Sequence, residues 1–151
     1  MKRRQAVVFL ILTVLLLGFI WGQSLLPREA SAGESGRLMS LLKPILDRDG
    51  RIDDDAFHHY LRKAAHFAEY AALGFCVGGF VFALRWRRPA LRIPASVGAC
   101  AVAASVDECI QLFVPGRGGH VRDVLLDVCG ALFGAAVLAL LAWLLHKHGK
   151  R

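Results

Sequence analysis

Of the twelve acidic residues in the chain, five fall in or against stretches that are otherwise apolar: Glu69, Asp107, Glu108, Asp123 and Asp127. Basic and imidazole side chains accompany them, namely Arg62, Lys63, His66, Arg117, His120 and Arg122. Lys63, His66 and Tyr70 stand at i, i+3 and i+7, which is one helical face, with Glu69 beside it. Asp107 and Gln111 are four apart and share a face, as do Asp123 and Asp127, whose face continues through Gly130 and Gly134. Such a set is equipped for proton transfer. Glu69 or Asp107 would serve as base, His66 as acid, and Arg117 would stabilise a developing oxyanion. It is equally suited to holding a ligand through Lys63, His66, Glu69, Asp107, Glu108, Gln111, Arg117, Asp123 and Asp127. A metal-assisted version would draw on His66, Glu69, Asp107 and Asp123. No HExxH or similarly dedicated ligand set is present, so no residue is assigned to a metal and the sequence identifies no particular cofactor. A third role is structural, with carboxylates and cations acting as glue between helices.

The segment between Asp107 and Asp123 contains Pro115-Gly116-Arg117-Gly118-Gly119. Glycines free a backbone to present N–H groups, and a helix start directly after such a turn, flanked by Arg117 and Arg122, suits an anionic headgroup or phosphate. The same glycines also permit a tight reversal. The Gly-Lys-Ser/Thr ending of a nucleotide-binding loop is absent.

The elements that position these groups are set by hydropathy. The hydrophobic share of 56% exceeds that of ordinary soluble chains. A helix crossing a hydrocarbon core needs about 20 apolar residues. Four stretches qualify, at about residues 6–25, 64–84, 91–113 and 124–145. The expected fold is a single all-α membrane domain over residues 1–151, a polytopic four-helix bundle with an outer loop at 26–63.

Lys2, Arg3 and Arg4 precede the first span, Arg85, Arg87, Arg88 and Arg92 separate the second and third, and Lys147, Lys150 and Arg151 follow the fourth. Their density in short segments places both termini in the cytoplasm. The long loop balances seven basic residues against seven acidic ones. By this topology the polar groups of the second, third and fourth spans share one depth, toward the outer face. Within the loop, Leu38, Leu41, Leu42 and Ile45 recur at helical spacing, with Pro44 ending or kinking the pattern. A second helix start is expected at Asp53 to Asp55, running through Phe57 and Tyr60 into the second span. Ala30-Ser31-Ala32 has the shape of a signal-peptidase site, but Pro27, Arg28 and Glu29 separate it from the apolar run, so the first span is expected to be retained.

The net charge of +7 does not signal nucleic-acid binding, because the basic residues punctuate apolar segments and form no stripe interleaved with aromatics. Cys76, Cys100, Cys109 and Cys129 all sit in apolar stretches without CxxC spacing and read as small packing residues.

Three ordered motifs resemble the VanZ-like family of small bacterial membrane proteins. They are Arg62-Lys63-x-x-His66-Phe67-x-Glu69-Tyr70-x-x-Leu73-Gly74, then Asp107-Glu108-x-x-Gln111-x-Phe113-x-Pro115-Gly116-Arg117, then Asp123-Val124-x-x-Asp127-x-x-Gly130. Gln23-Ser24 and Ser35-Gly36 look like the region after that family's first helix. The chain departs from the usual pattern at Gly119, at Arg122 and at Asp127, where many relatives carry Asn. The resemblance implies a multi-pass protein of the bacterial cytoplasmic membrane with a link to cell-envelope antibiotics, teicoplanin above all, and it implies no mechanism. The expected partners are the lipid bilayer, an anionic lipid or peptidoglycan precursor, and other membrane proteins.

Overall fold

The computed structural model describes residues 2–27, 40–47, 52–84 and 88–148. The Ala30–Ala32 sequence, Leu38, Ser35-Gly36 and the charges at 85, 87, 150 and 151 lie outside them. The described chain is helical, and four helices are long and apolar enough to cross a membrane: α1 (Lys2–Ser24), α2 (Asp54–Ala83), α3 (Arg92–Gln111) and α4 (Val121–His148).

α1 is apolar around its whole circumference from Ala6 onward. Val8, Ile11, Val14 and Leu15 remain exposed, whereas Ile20 and Ser24 are fully buried. An exposed aliphatic surface of this extent is untenable in water and matches lipid tails. Three hydroxyls within the helices are satisfied by their own helix. The hydroxyls of Thr13, Ser96 and Ser105 donate to carbonyls four residues back, at 2.8, 2.7 and 2.9 Å.

α2 has 30 residues, about 45 Å at 1.5 Å per residue, and so overruns a ~30 Å hydrocarbon core. The excess is at its start, ten residues before the expected span. Asp54 and Asp55 occupy the first turn, where unpaired N–H groups favour negative charge. Ahead of it residues 40–46 form a short helix. That helix continues two residues past Pro44, because a proline so near a helix start forfeits only the bond its missing N–H would give to residue 40. Leu41 and Ile45, four apart, are exposed on it. Lys43 pairs with Asp54, and the Ile52 amide donates to Asp47 at 3.0 Å, tying the short helix to α2.

The helices alternate in direction. Gly79 of α2 meets Phe9 of α1, the Trp21 indole donates to the Ala103 carbonyl of α3 at 3.3 Å, and the end of α1 meets the α3–α4 turn. α2 and α4 therefore run parallel, and they form the largest interface. Along it, a Cβ at Gly74 would collide with the Ala131 backbone, and one at Gly134 with the Ala71 carbonyl. At Gly130 it would lie 2.5 Å from the Phe67 carbonyl oxygen. The two GxxxG sequences thus lie at one seam, where backbone meets backbone. Tyr70, Leu73, Cys100, Ala104 and Ala131 fill the core between α2, α3 and α4. Of the cysteines, Cys76 and Cys100 are buried, whereas Cys109 and Cys129 face outward and pack little.

The α3–α4 connection is a tight reversal. The Arg117 amide donates to the Val114 carbonyl at 3.1 Å, Pro115 takes the second position, and Gly116 takes the third with φ 76°. That is the pattern of a type II turn, in which the positive φ calls for glycine.

The seam sets a stability prediction. Gly134→Leu should destabilise the detergent-solubilised protein by about 3 kcal/mol or more, since overpacking against backbone cannot relax by a rotamer change. Gly98→Ala, where a Cβ meets nothing within 4 Å, should leave it unchanged or slightly more stable. Thermal melts followed by size-exclusion would decide, and equal midpoints for both variants would contradict the packing account.

Candidate functional site

The end of the bundle where α1 and α3 finish and α4 begins carries the polar groups. α2 delivers Arg62, Lys63, His66, Glu69 and Tyr70 to that end because its helix starts well before it. The last turn of α3 brings Asp107, Glu108 and Gln111, and the first two turns of α4 bring Asp123 and Asp127.

The residues divide into a rim and a centre. On the rim, Lys63 pairs with Asp123 across the α2–α4 seam, both groups partly exposed. Glu108 is held from two sides, with the His120 amide donating to one oxygen at 2.6 Å and Gln111 Nε2 donating to the other at 3.3 Å. The amide entering α4 is thus satisfied by a carboxylate of the chain itself. Gly119 is pressed against this arrangement, for a Cβ there would meet the Glu108 carbonyl oxygen at 2.7 Å. Arg117 reaches back to α1, its guanidinium donating to the Gln23 carbonyl at 3.1 Å. Burial, together with the charge of nearby Arg62, pulls the Arg117 pKa below the usual guanidinium range. Arg122 is exposed.

At the centre are His66, Asp107 and Asp127, one from each of three helices, with donor atoms that all lie within 4.8 Å of one another. Gln111 Nε2 donates to Asp107 Oδ2 at 3.0 Å, leaving Asp107 Oδ1 without a partner. Both oxygens of Asp127 and Nδ1 of His66 are likewise buried and unpartnered. The Tyr70 hydroxyl, also unpartnered, is close enough to interact electrostatically with both aspartates. Glu69 is half-buried and feels the Asp107 charge, but it is not among the three convergent donors. Next to the centre, a space of about 10 Å³ is bounded by Arg62, Lys63, Gln111, Asp123 and Asp127 among others. That volume admits a particle the size of one water molecule.

All nine residues expected to bind a ligand lie at this end of the bundle. Lys63 and Asp123 are spent largely on each other, and Glu108 on the turn. Two contributors were left out of the expected set, Arg62 and Tyr70. The i, i+4, i+8 spacing of Arg62, His66 and Tyr70 identifies them, because it defines one helix face as well as the Lys63–His66–Tyr70 spacing does. Ser24, fully buried with an unpartnered hydroxyl, has no comparable signal.

No curated protein and no solved structure matches the chain. The family model described as VanZ/LLP1 matches residues 9–143. That stretch takes in all of α2 and α3, most of α1 and α4, both sides of the α2–α4 seam and every residue of the polar end. The protein is a multi-pass membrane protein belonging to the VanZ/LLP1 family.

Proposed function

We propose that this protein binds the anionic, phosphate-bearing headgroup of an envelope lipid or lipid-linked precursor at the polar end of its bundle, on the outer side of the bacterial cytoplasmic membrane. The observation that carries this reading is the juxtaposition of Arg62 and Arg117. The two guanidinium groups are close enough to repel, and among the described residues neither is paired with a carboxylate. The Asp107 and Glu108 charges act on Arg117, and the Asp123 charge acts on Arg62, yet neither guanidinium forms an ion pair among the described residues, and their planar donors match phosphate oxygens. Lys63, by contrast, already has Asp123.

The turn amides contribute less than the glycine content suggests, because Glu108 takes the one at His120. The headgroup stays outside the small central space, which has room for a single small particle, and its acyl chains lie along the exposed apolar faces of the helices. The family's link with glycopeptide susceptibility fits a protein that handles a surface-exposed envelope component.

Native mass spectrometry of gently extracted protein tests the reading. Wild type should carry a phosphate-bearing lipid. Arg62→Ala and Arg117→Ala should each weaken its retention by about tenfold or more, the loss expected for one charge-assisted contact of ~1.5–3 kcal/mol. Arg62 makes no hydrogen bond among the described residues, so its removal separates binding from folding, whereas Arg117 also anchors α1. Wild type that is folded and free of anionic lipid would overturn the proposal and favour a non-catalytic partner in a membrane assembly. For orientation, a green-fluorescent fusion at the C-terminus should fluoresce in the cytoplasm, and an alkaline-phosphatase fusion at Gly118 should be active outside. The reverse pattern would place the site on the cytoplasmic face.

A further inference from the structure

The geometry points to a binding site for one divalent transition-metal ion, formed by His66, Asp107 and Asp127. The inference is independent of the lipid reading, since it concerns the centre of the polar end and not its rim. The sequence alone assigns no metal ligand, and the four donors considered there included Glu69 and Asp123. The folded chain selects a different set.

Three observations converge. The first is geometric. One imidazole nitrogen and one oxygen of each aspartate lie within 4.8 Å of one another, although they come from α2, α3 and α4. Small side-chain rotations bring such a set to the ~2.0–2.2 Å bond lengths of a zinc-type ion. The second is a set of buried carboxylate oxygens that lack a partner. Asp107 is 0% exposed and Asp127 1% exposed, yet one oxygen of the first and both oxygens of the second accept no hydrogen bond among the described residues. Two carboxylates buried side by side repel, and a cation between them removes both the repulsion and the unmet acceptors.

The third observation is the disposition of the nearby cations. Lys63 is committed to Asp123, and Arg117 donates to the Gln23 carbonyl, so neither reaches the central pair by a hydrogen bond. Gln111 meanwhile donates to Asp107 Oδ2 and leaves Oδ1 free, the supporting hydrogen bond that commonly orients a ligating carboxylate.

The mixed donor set defines the class of ion. Magnesium and calcium take oxygen ligands almost throughout, whereas one imidazole with two carboxylates suits zinc, manganese or iron(II). Three protein ligands leave at least one coordination position for water or for an oxygen of a bound ligand. The buried Tyr70 hydroxyl, unpartnered among the described residues, senses the charge of both aspartates.

The full-length protein, stripped with chelator and reconstituted in nanodiscs without added lipid ligand, is titrated with Co2+, Zn2+ and Mn2+. Co2+ should develop the visible absorption of a site with nitrogen and oxygen ligands, and Zn2+ should bleach it at about one equivalent per chain. Asp107→Asn, Asp127→Asn and His66→Gln should each weaken Zn2+ binding by at least about tenfold. His148→Ala, on the exposed end of α4, should leave it unchanged.

Folded wild type that gives no Co2+ absorption and retains no Zn2+ would overturn the proposal, whatever the variants do. So would metal that survives in folded Asp127→Asn but is lost in His148→Ala. Loss of bound lipid in Arg62→Ala with Zn2+ binding intact would support the two sites being separate.

Discussion

The backbones of α2 and α4 touch, and the rest of the structure is arranged around that contact. Gly74, Gly130 and Gly134 remove the side chains that would hold the helices apart. The parallel run brings residues near 63 and 66 level with those near 123 and 127. At ordinary interhelical distances of 8–10 Å, Asp127 and His66 would be harder to bring to one point. The glycines usually assigned to helix association therefore also fix the dimensions of the polar centre. α3 completes it from the third side with small residues of its own, Ala103 and Ala104, that allow Asp107 to approach.

Membrane energetics explain why the centre sits where it does. A charged side chain at mid-bilayer costs about 2.5–3.5 kcal/mol even on the lenient insertion scales, and less toward the interfaces. The protein confines its intramembrane carboxylates to the last turns of α3, the first turns of α4 and the part of α2 at the same end. Away from that end, polar groups are hydroxyls that bond to their own helix, and the packing is made by Gly, Ala, Cys and Leu. The overrun of α2 follows from the same constraint. Its first turns leave the hydrocarbon and carry Asp54 and Asp55 where they are hydrated.

Much of this was legible in the sequence because the period of 3.6 and the length of a span are strong constraints. The four apolar runs identify four helices, and Asp53 to Asp55 marks the true start of α2. The pairs Asp107 with Gln111 and Asp123 with Asp127 announce their faces. Pro115-Gly116 announces a turn that needs a positive φ. Spacing along one helix does not say which face meets which neighbour, however, and the details of the site depend on that. Glu69 and Asp127 look equivalent as intramembrane carboxylates, yet only Asp127 faces His66 and Asp107. Lys63 looks like a free cation until α4 places Asp123 against it. The glycine-rich turn looks like an anion nest until Glu108, thirteen positions from Val121 and twelve from His120, folds back to occupy it.

The charges that remain after these internal pairings are ordered by depth. Lys63 and Asp123 neutralise each other, and Glu108 is hydrogen-bonded by the neutral His120 amide and Gln111. Arg62 and Arg117 are left toward the helix ends, and Asp107 and Asp127 remain within. His66 stands one helical turn beyond Arg62 and faces the aspartates. A bundle that needed only glue would pair these two sets directly, since a guanidinium bound to a carboxylate satisfies both and leaves no buried oxygen unmet. The chain instead spends its lysine and its amide on the outer carboxylates, and it ties Arg117 to a backbone carbonyl. Inward-facing anions and outer cations thus sense each other's charge without forming ion pairs among the described residues. Such separation carries an electrostatic cost within the protein alone. It is offset when a cation occupies the inner position and an anion the outer one, so the two proposals account for complementary halves of a single charge distribution.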